Sequence, residues 1–284
     1  DVGMVINVTV SSEYCTGEVI STNSSAVAKA GQTAPNPPTA VSVIATGVTL
    51  TAIPGAQYRL GTGDWQENPE FTGLTPGTEY TFYARLKETS EYYASSPSEA
   101  SDMITTDKAA LSGSISVNGA YSFGQTLTAV TDTLSADPAG ADTGALSYQW
   151  TRDGAEIAGA AGDTYTLGAE DIGAVVNVTV TAEHCTGAVS SANSSPVTKA
   201  ASAAPTVEVS EKTTTSVMLA AIPGAQYFCG TTALTPEKTA DGWQSSPEFT
   251  GLSPNTAYYF FVYLEETGTH LASPVSTGVA ATTN

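Results

Sequence analysis

The chain contains much of itself twice. Residues 1–29, DVGMVINVTVSSEYCTGEVISTNSSAVAK, return at 171–199 as DIGAVVNVTVTAEHCTGAVSSANSSPVTK, an offset of 170. Further on, AIPGAQY at 52–58 returns at 221–227, and PEFTGLTPGTEY at 69–80 returns as PEFTGLSPNTAY at 247–258. Between those blocks the second copy carries nine extra residues, TALTPEKTA, ahead of Trp243. Such a period is too long for a solenoid unit and suits two domains of about 80–95 residues each. Short Ala/Pro/Lys stretches then set the boundaries: 1–31 is the tail of one module, and 35–107, 109–200 and 204–284 are complete ones, in alternating order.

Both module types read as strands. In 35–107 the apolar residues alternate at Val41/Val43, Val48/Leu50/Ala52, Tyr58/Leu60 and Tyr80/Phe82/Ala84/Leu86, with Gly, Pro, Asn and Ser clusters between them. In 109–200 they alternate at Ile115/Val117, Leu127/Ala129, Leu146/Tyr148/Trp150, Tyr165/Leu167 and Val176/Val178/Val180. Period-two alternation broken by turn residues predicts an all-β chain of tandem β-sandwiches, and no segment sustains a helical period.

Two motifs sharpen this. Leu74-Thr-Pro76-Gly-Thr78-Glu-Tyr80, repeated as Leu252-Ser-Pro254-Asn-Thr256-Ala-Tyr258, resembles the tyrosine corner of fibronectin type III domains. There the Tyr ring enters the core and its hydroxyl bonds back to the loop backbone. That family has a Trp on the second strand, where this chain has Ala52–Ile53 and Ala221–Ile222; Trp65 and Trp243 are expected to supply the missing core volume. Leu146-Ser-Tyr148-Gln-Trp150-Thr-Arg152-Asp153-Gly154 and Asp171-Ile-Gly173 resemble the disulfide-free immunoglobulin-like modules of bacterial surface proteins. Val175 and Asn177 stand where immunoglobulin variable domains carry Tyr and Cys, so Trp150 is expected to pack without a disulfide. The resemblance makes 1–31 the C-terminal strands of an immunoglobulin-like module, 109–200 a whole one, and 35–107 and 204–284 fibronectin type III-like. It implies a secreted or wall-attached protein of a Gram-positive bacterium.

Charge narrows the partners. Nine Lys and Arg stand against 28 Asp and Glu, for a net charge of −19, so nothing neutralises nucleic-acid phosphate or an anionic membrane surface. No run reaches the ~18 apolar residues of a spanning helix. The sequence opens at Asp1 without a signal peptide, so an export signal is expected to have been removed or to lie upstream.

Candidate chemistry is sparse. Cys15 and Cys185 are repeat-equivalent in CTG turns, and Cys229 stands where the first copy has Leu60. The expectation is three free thiols, with an intermolecular bridge between equivalent cysteines left open. His184 beside Cys185 lacks further ligands and is replaced by Tyr14 in the first copy, so it reads as a hairpin residue. No cofactor is expected; calcium is left open for Asp132, Asp137 and Asp142 or for Glu170–Asp171, whose spacing matches no EF-hand loop. Lys29 and Lys199 recur with Asn7 and Asn177, but their place at a strand end or linker argues against isopeptide bonds between them. The four N-x-S/T sequons at Asn7, Asn23, Asn177 and Asn193 are two sites duplicated by the repeat.

Two faces are candidates for binding or assembly. In Tyr258-Tyr-Phe-Phe-Val-Tyr-Leu264, alternation turns Tyr259, Phe261 and Tyr263 away from the core, an aromatic ladder suited to sugar rings or a protein surface. Cross-strand packing that stabilises the sheet is the preferred reading of these residues. Residues 1–31 present Ile6, Val8 and Val10 on a two-stranded piece that needs a cover, a candidate face for strand complementation. The expected function is a non-catalytic structural or stalk segment of an extracellular or cell-surface repeat protein, cut from a longer chain and able to assemble into a fibre. Its partners would be adjacent modules or neighbouring chains. The alternatives are an adhesin module for a host protein or glycan, and a spacer of a secreted carbohydrate-active enzyme.

Overall fold

The computed structural model describes residues 1–284 as short β-strands joined by turns, with a single 3₁₀ turn at Ala169–Asp171. Contacts divide it into two compact units. One comprises Asp1–Ser114, Thr133–Ser147 and Val180–Val189, the other Ile115–Asp132, Tyr148–Thr179 and Ser190–Asn284.

In the first unit, Ala40–Ile44, Gly47–Leu50 and Glu70–Thr72 form one antiparallel sheet, and Ala56–Leu60 pairs with Phe82–Leu86 in another. Val48, Leu50, Ala56, Tyr58, Phe71, Phe82 and Ala84 are buried together, with Leu74, Tyr80 and Leu86 packed against them. These are the inward positions of the period-two pattern. An irregularity between Ala40 and Ser42 shifts the register there, and it leaves Val41 exposed rather than inward with Val43. The second unit repeats the plan. Val209–Lys212, Ser216–Leu219 and Glu248–Thr250 form one sheet, and Ala225–Gly230, Ala257–Leu264 and Val279–Thr282 another. Its core holds Val217, Leu219, Tyr227, Phe249, Phe260 and Val262. Both tyrosine corners form: Tyr80 Oη accepts from the Thr75 N–H and Tyr258 Oη from the Ser253 N–H, each at 2.9 Å.

The tryptophans do not enter these cores. Trp65 and Trp243 are half-buried and lie against residues of the sheets' other faces. Tyr58 and Tyr227 supply the volume instead, at 2% and 1% exposure. Each hydroxyl accepts from the backbone N–H of the isoleucine five residues before it, Ile53 or Ile222. A phenol thus fills the core while satisfying a loop amide.

Between 109 and 200, Ser116–Asn118, Thr126–Val130 and Thr164–Thr166 form one sheet, and Leu146–Arg152 lies beside Val176–Ala182, flanked by Ala155–Glu156 and Val189–Ser190. Ala109–Ser112 pairs antiparallel with Ser135–Asp137 and parallel with Cys185–Thr186. Trp150 is fully buried, and its indole N–H reaches the Gly162 carbonyl at 2.9 Å.

One device recurs at the edges of these sheets. Beside Phe82–Leu86 runs a segment in which every third residue is a buried serine: Ser95, Ser98 and Ser101. The N–H of each donates to the carbonyl of Leu86, Ala84 or Phe82, and its hydroxyl accepts the N–H of that same residue. The hydroxyl proton then goes to the carbonyl of the next residue, Ser96, Glu99 or Asp102. Three residues of the edge thus advance past two of the strand. The same pairing joins Ser273 and Ser276 to Leu264 and Val262, Ser191 to Val178, and Ser21 and Ser24 to Val8 and Ile6, and the Ser194 hydroxyl accepts the Val176 N–H. The serines are therefore not decoration on strand faces; they close the sheets.

Ser98→Ala removes the only side-chain acceptor for the buried Ala84 N–H. Leaving such a donor unpaired costs about 1–3 kcal/mol. Urea denaturation should show that loss, whereas Ser96→Ala, at an exposed position of the same segment, leaves the midpoint unchanged.

Candidate binding faces

The strand Ala257–Leu264 has two different sides. Tyr258, Phe260, Val262 and Leu264 face the core as expected. Tyr259 and Tyr263 on the other side are half-buried, but Phe261 is fully buried, which removes it from the candidate binding ladder and accords with cross-strand packing. Gly278 lies so close over Phe261 that a Cβ there would come within 2.6 Å of its ring. Phe228 stands edge-on to Phe261 at 6.4 Å and near Trp243 at 5.3 Å, and Trp243 meets Tyr263 edge-on at 4.7 Å. The nine extra residues of the second copy join this cluster: the Trp243 indole donates to the Glu237 carbonyl, and Lys238 Nζ sits 5.4 Å from the Tyr263 ring. The outer face is thus a second small core, its cross-strand contacts made by residues the alternation had turned outward.

The first copy builds the same outer face from different residues. Arg59, Tyr83 and Arg85 replace Phe228, Phe261 and Tyr263, and Trp65 matches Trp243. Arg59 lies 4.7 Å from the Trp65 ring and 5.0 Å from Tyr83, while Arg85 covers Trp65 at 4.5 Å. Arg85 Nε donates to Gln57, whereas Arg59 Nε has no hydrogen-bond partner. Neither arginine is in an ion pair, so their positive charge is held by ring faces.

The second candidate face is bare. Residues 1–29 form a ribbon in which Thr9–Ser11 pairs with Glu18–Ile20, and its internal bonds copy those of 171–199. Asn7 Nδ2 donates to Asn23 and Asn177 Nδ2 to Asn193; the N–H groups of Val27 and Val197 reach the carbonyls of Met4 and Ala174. The conformation is the same and the surroundings are not. Ile6, Val8 and Val10 are 48%, 59% and 62% exposed, whereas Val176, Val178 and Val180 are 0% exposed.

Other residues are engaged structurally. Asp171 is fully buried and accepts from Arg152 Nε at 2.7 Å, the Tyr165 hydroxyl at 2.9 Å and the Gly168 N–H at 2.7 Å. The hydrogen bond to Asp171 raises the Arg152 pKa, and burial raises that of Tyr165. Asp171 is therefore not free to share a cation with Glu170. No three His, Cys, Asp or Glu side chains, Asp132, Asp137 and Asp142 included, are grouped to hold a metal. His184 lies 3.4 Å from Asp142 across the turn at Gly144, where a Cβ would strike its ring. Lys29 and Lys199 approach carboxylates rather than asparagines: Lys29 Nζ reaches Glu88 and the Thr89 carbonyl, and Lys199 Nζ reaches Glu266 and the Thr267 carbonyl. Cys15 is exposed, Cys185 buried and Cys229 half-buried, all three unbridged.

Two measurements follow from these placements. Asp171→Asn leaves Arg152 only its longer pair with the exposed Glu170, at 3.6 Å, and should cost on the order of 2–3 kcal/mol, because the Arg152 side chain keeps 28% of its exposure. Burial pushes the Cys229 thiol up to about 11. At pH 8 its thiolate fraction is then about 0.1%, and alkylation followed by mass spectrometry should find it reacting about a hundredfold more slowly than a thiol of pKa 9.0.

No family model matches this chain, and no curated protein matches it. Among solved structures, the FN1–FN3 domains of chicken CNTN1 align over 90% of this chain and 99% of that one, at 15% identity and a TM-score of 0.31.

Proposed function

We propose that this chain is a non-catalytic structural segment of an extracellular repeat protein, most simply a bacterial surface or secreted one, whose modules act as a spacer. The observation that carries this reading is a connector clamp built the same way in both repeats. After each ribbon of the 1–29 type the chain runs past the next sheet and is held there three times. A lysine, Lys29 or Lys199, pairs with Glu88 or Glu266 and the following threonine carbonyl. An alanine, Ala30 or Ala200, makes a parallel bridge to Tyr92 or His270. A polar side chain, Gln32 or Ser202, donates to the carbonyl of Tyr93 or Leu271. The glutamates are about half exposed, so each ion pair is worth under about 1 kcal/mol. Stiffness comes from the three holds together. The ionisable groups with marked positions serve structure: Arg152 and Asp171 pair with each other, and Lys108 holds the Glu183 carbonyl.

A spacer needs such connectors to be stiff. Spin labels at Thr22 and Glu99, in a Cys15→Ser, Cys185→Ser, Cys229→Ser background, should give a narrow distance distribution. Lys29→Ala with Gln32→Ala should broaden it at least about twofold. A broad distribution in the parent would defeat the spacer reading. The adhesin alternative would be favoured by specific binding on a glycan array that is lost with Tyr259→Ala and Tyr263→Ala.

A further inference from the structure

The bare ribbon at 1–29 has its own answer printed 170 residues later. The equivalent ribbon, 171–199, has the same hairpin, the same serine pairing and the same Asn–Asn bond, yet its inward valines are fully buried. Its strand neighbour, and the residues packed at its turn, come from 109–170. Leu146–Arg152 lies directly beside Val176–Ala182, and Trp150, Leu127 and Leu167 are buried in the same part of the chain. Ala109, Ala136, Leu111 and Leu146 pack with Ala182 and Cys185. Four buried positions of the covered ribbon have exposed twins: Val176 and Ile6, Val178 and Val8, Val180 and Val10, Cys185 and Cys15. Sugars and lipids do not make a strand ladder, so the backbone edge and the apolar face together call for polypeptide. The twin positions specify which polypeptide.

We propose that residues 1–29 are the acceptor half of a split sandwich, and that its donor is a polypeptide segment of the 109–170 type. The proposal rests on the repeat and holds whether or not the chain is an extracellular spacer. The ribbon is already in its bound conformation, so docking needs the donor's strands to form and little rearrangement of the acceptor. In the donor-bound state Ile6, Val8 and Val10 leave water, and Cys15 takes the buried place that Cys185 has.

Cys15 is the reporter. A second copy of 109–170, joined directly ahead of Asp1, reproduces the Glu170–Asp171 junction. Alkylation of Cys15 in that extended chain should slow about tenfold or more relative to the chain as it stands, while Cys185 and Cys229 keep their rates. Val8→Asp should restore fast labelling of Cys15 in the extended chain and leave the melting temperature of the unextended chain unchanged, because Val8 is already exposed there. Unchanged Cys15 labelling on extension overturns the proposal, as does protection that survives Val8→Asp. Protection of Cys15 that appears in the unextended chain as two 1–29 ribbons pair with each other in a dimer overturns it too. An extended chain that precipitates while the unextended one stays soluble also counts against it, because its donor would then have been refused.

Discussion

Serine hydroxyls that stand in for backbone pairing hold this architecture together. At four places the segment flanking a strand carries serine at every third position; each serine hydroxyl accepts the N–H of a strand residue, and all but Ser194 also donate their own N–H to that residue's carbonyl. A regular flanking strand would advance residue for residue and alternate its side chains across the sheet. Here two residues loop out for every one that bonds. The inner strands Phe82–Leu86 and Ala257–Leu264 are thereby satisfied without a long apolar partner, and a sandwich of modest length can close with few large side chains. The hydroxyl bonds satisfy strand backbone groups that a regular partner strand would otherwise meet, and being uncharged they keep their strength in salt.

Much of the β-architecture was legible from alternation, because inward residues of a sandwich must repeat every second position. The tyrosine corners were legible too, since Pro76 and Tyr80, like Pro254 and Tyr258, place a rigid turn and a phenol at a fixed separation. What alternation could not give was the fate of the opposite face. It turned Phe261 outward correctly, but whether outward means exposed depends on what lies above, and that is Gly278, Phe228 and the inserted segment near Trp243. The same blindness sent Trp65 and Trp243 to the core on grounds of volume, when Tyr58 and Tyr227 already filled it and needed only a loop amide for their hydroxyls. The serine pairing left a visible trace, Ser-x-x-Ser following a strand, but its period of three belongs to neither template used to read helices and strands.

Comparison of the two copies shows how a shared scaffold diverges where it is least constrained. The inward residues match, Tyr58 with Tyr227, Phe71 with Phe249 and Phe82 with Phe260, because each must fit a closed volume. On the outer face Arg59, Tyr83 and Arg85 give way to Phe228, Phe261 and Tyr263 around a retained tryptophan. Guanidinium groups on an indole keep one edge available to solvent, so that face needs no cover. An all-aromatic set does need one, and the nine additional residues reach across toward it. Insertion and substitution are one change seen at two places.

The looped-out edges bear on how near-identical repeats avoid each other. Neighbouring modules of similar sequence are prone to exchange strands while folding, since any straight exposed edge accepts its counterpart from the next copy. An edge that progresses three residues for every two of its partner cannot continue the ladder outward in register. It offers a newcomer loops where hydrogen-bonding groups should be. Where serines line a sheet edge they therefore also end the ladder there, which keeps those edges of a duplicated chain from merging into a common sheet.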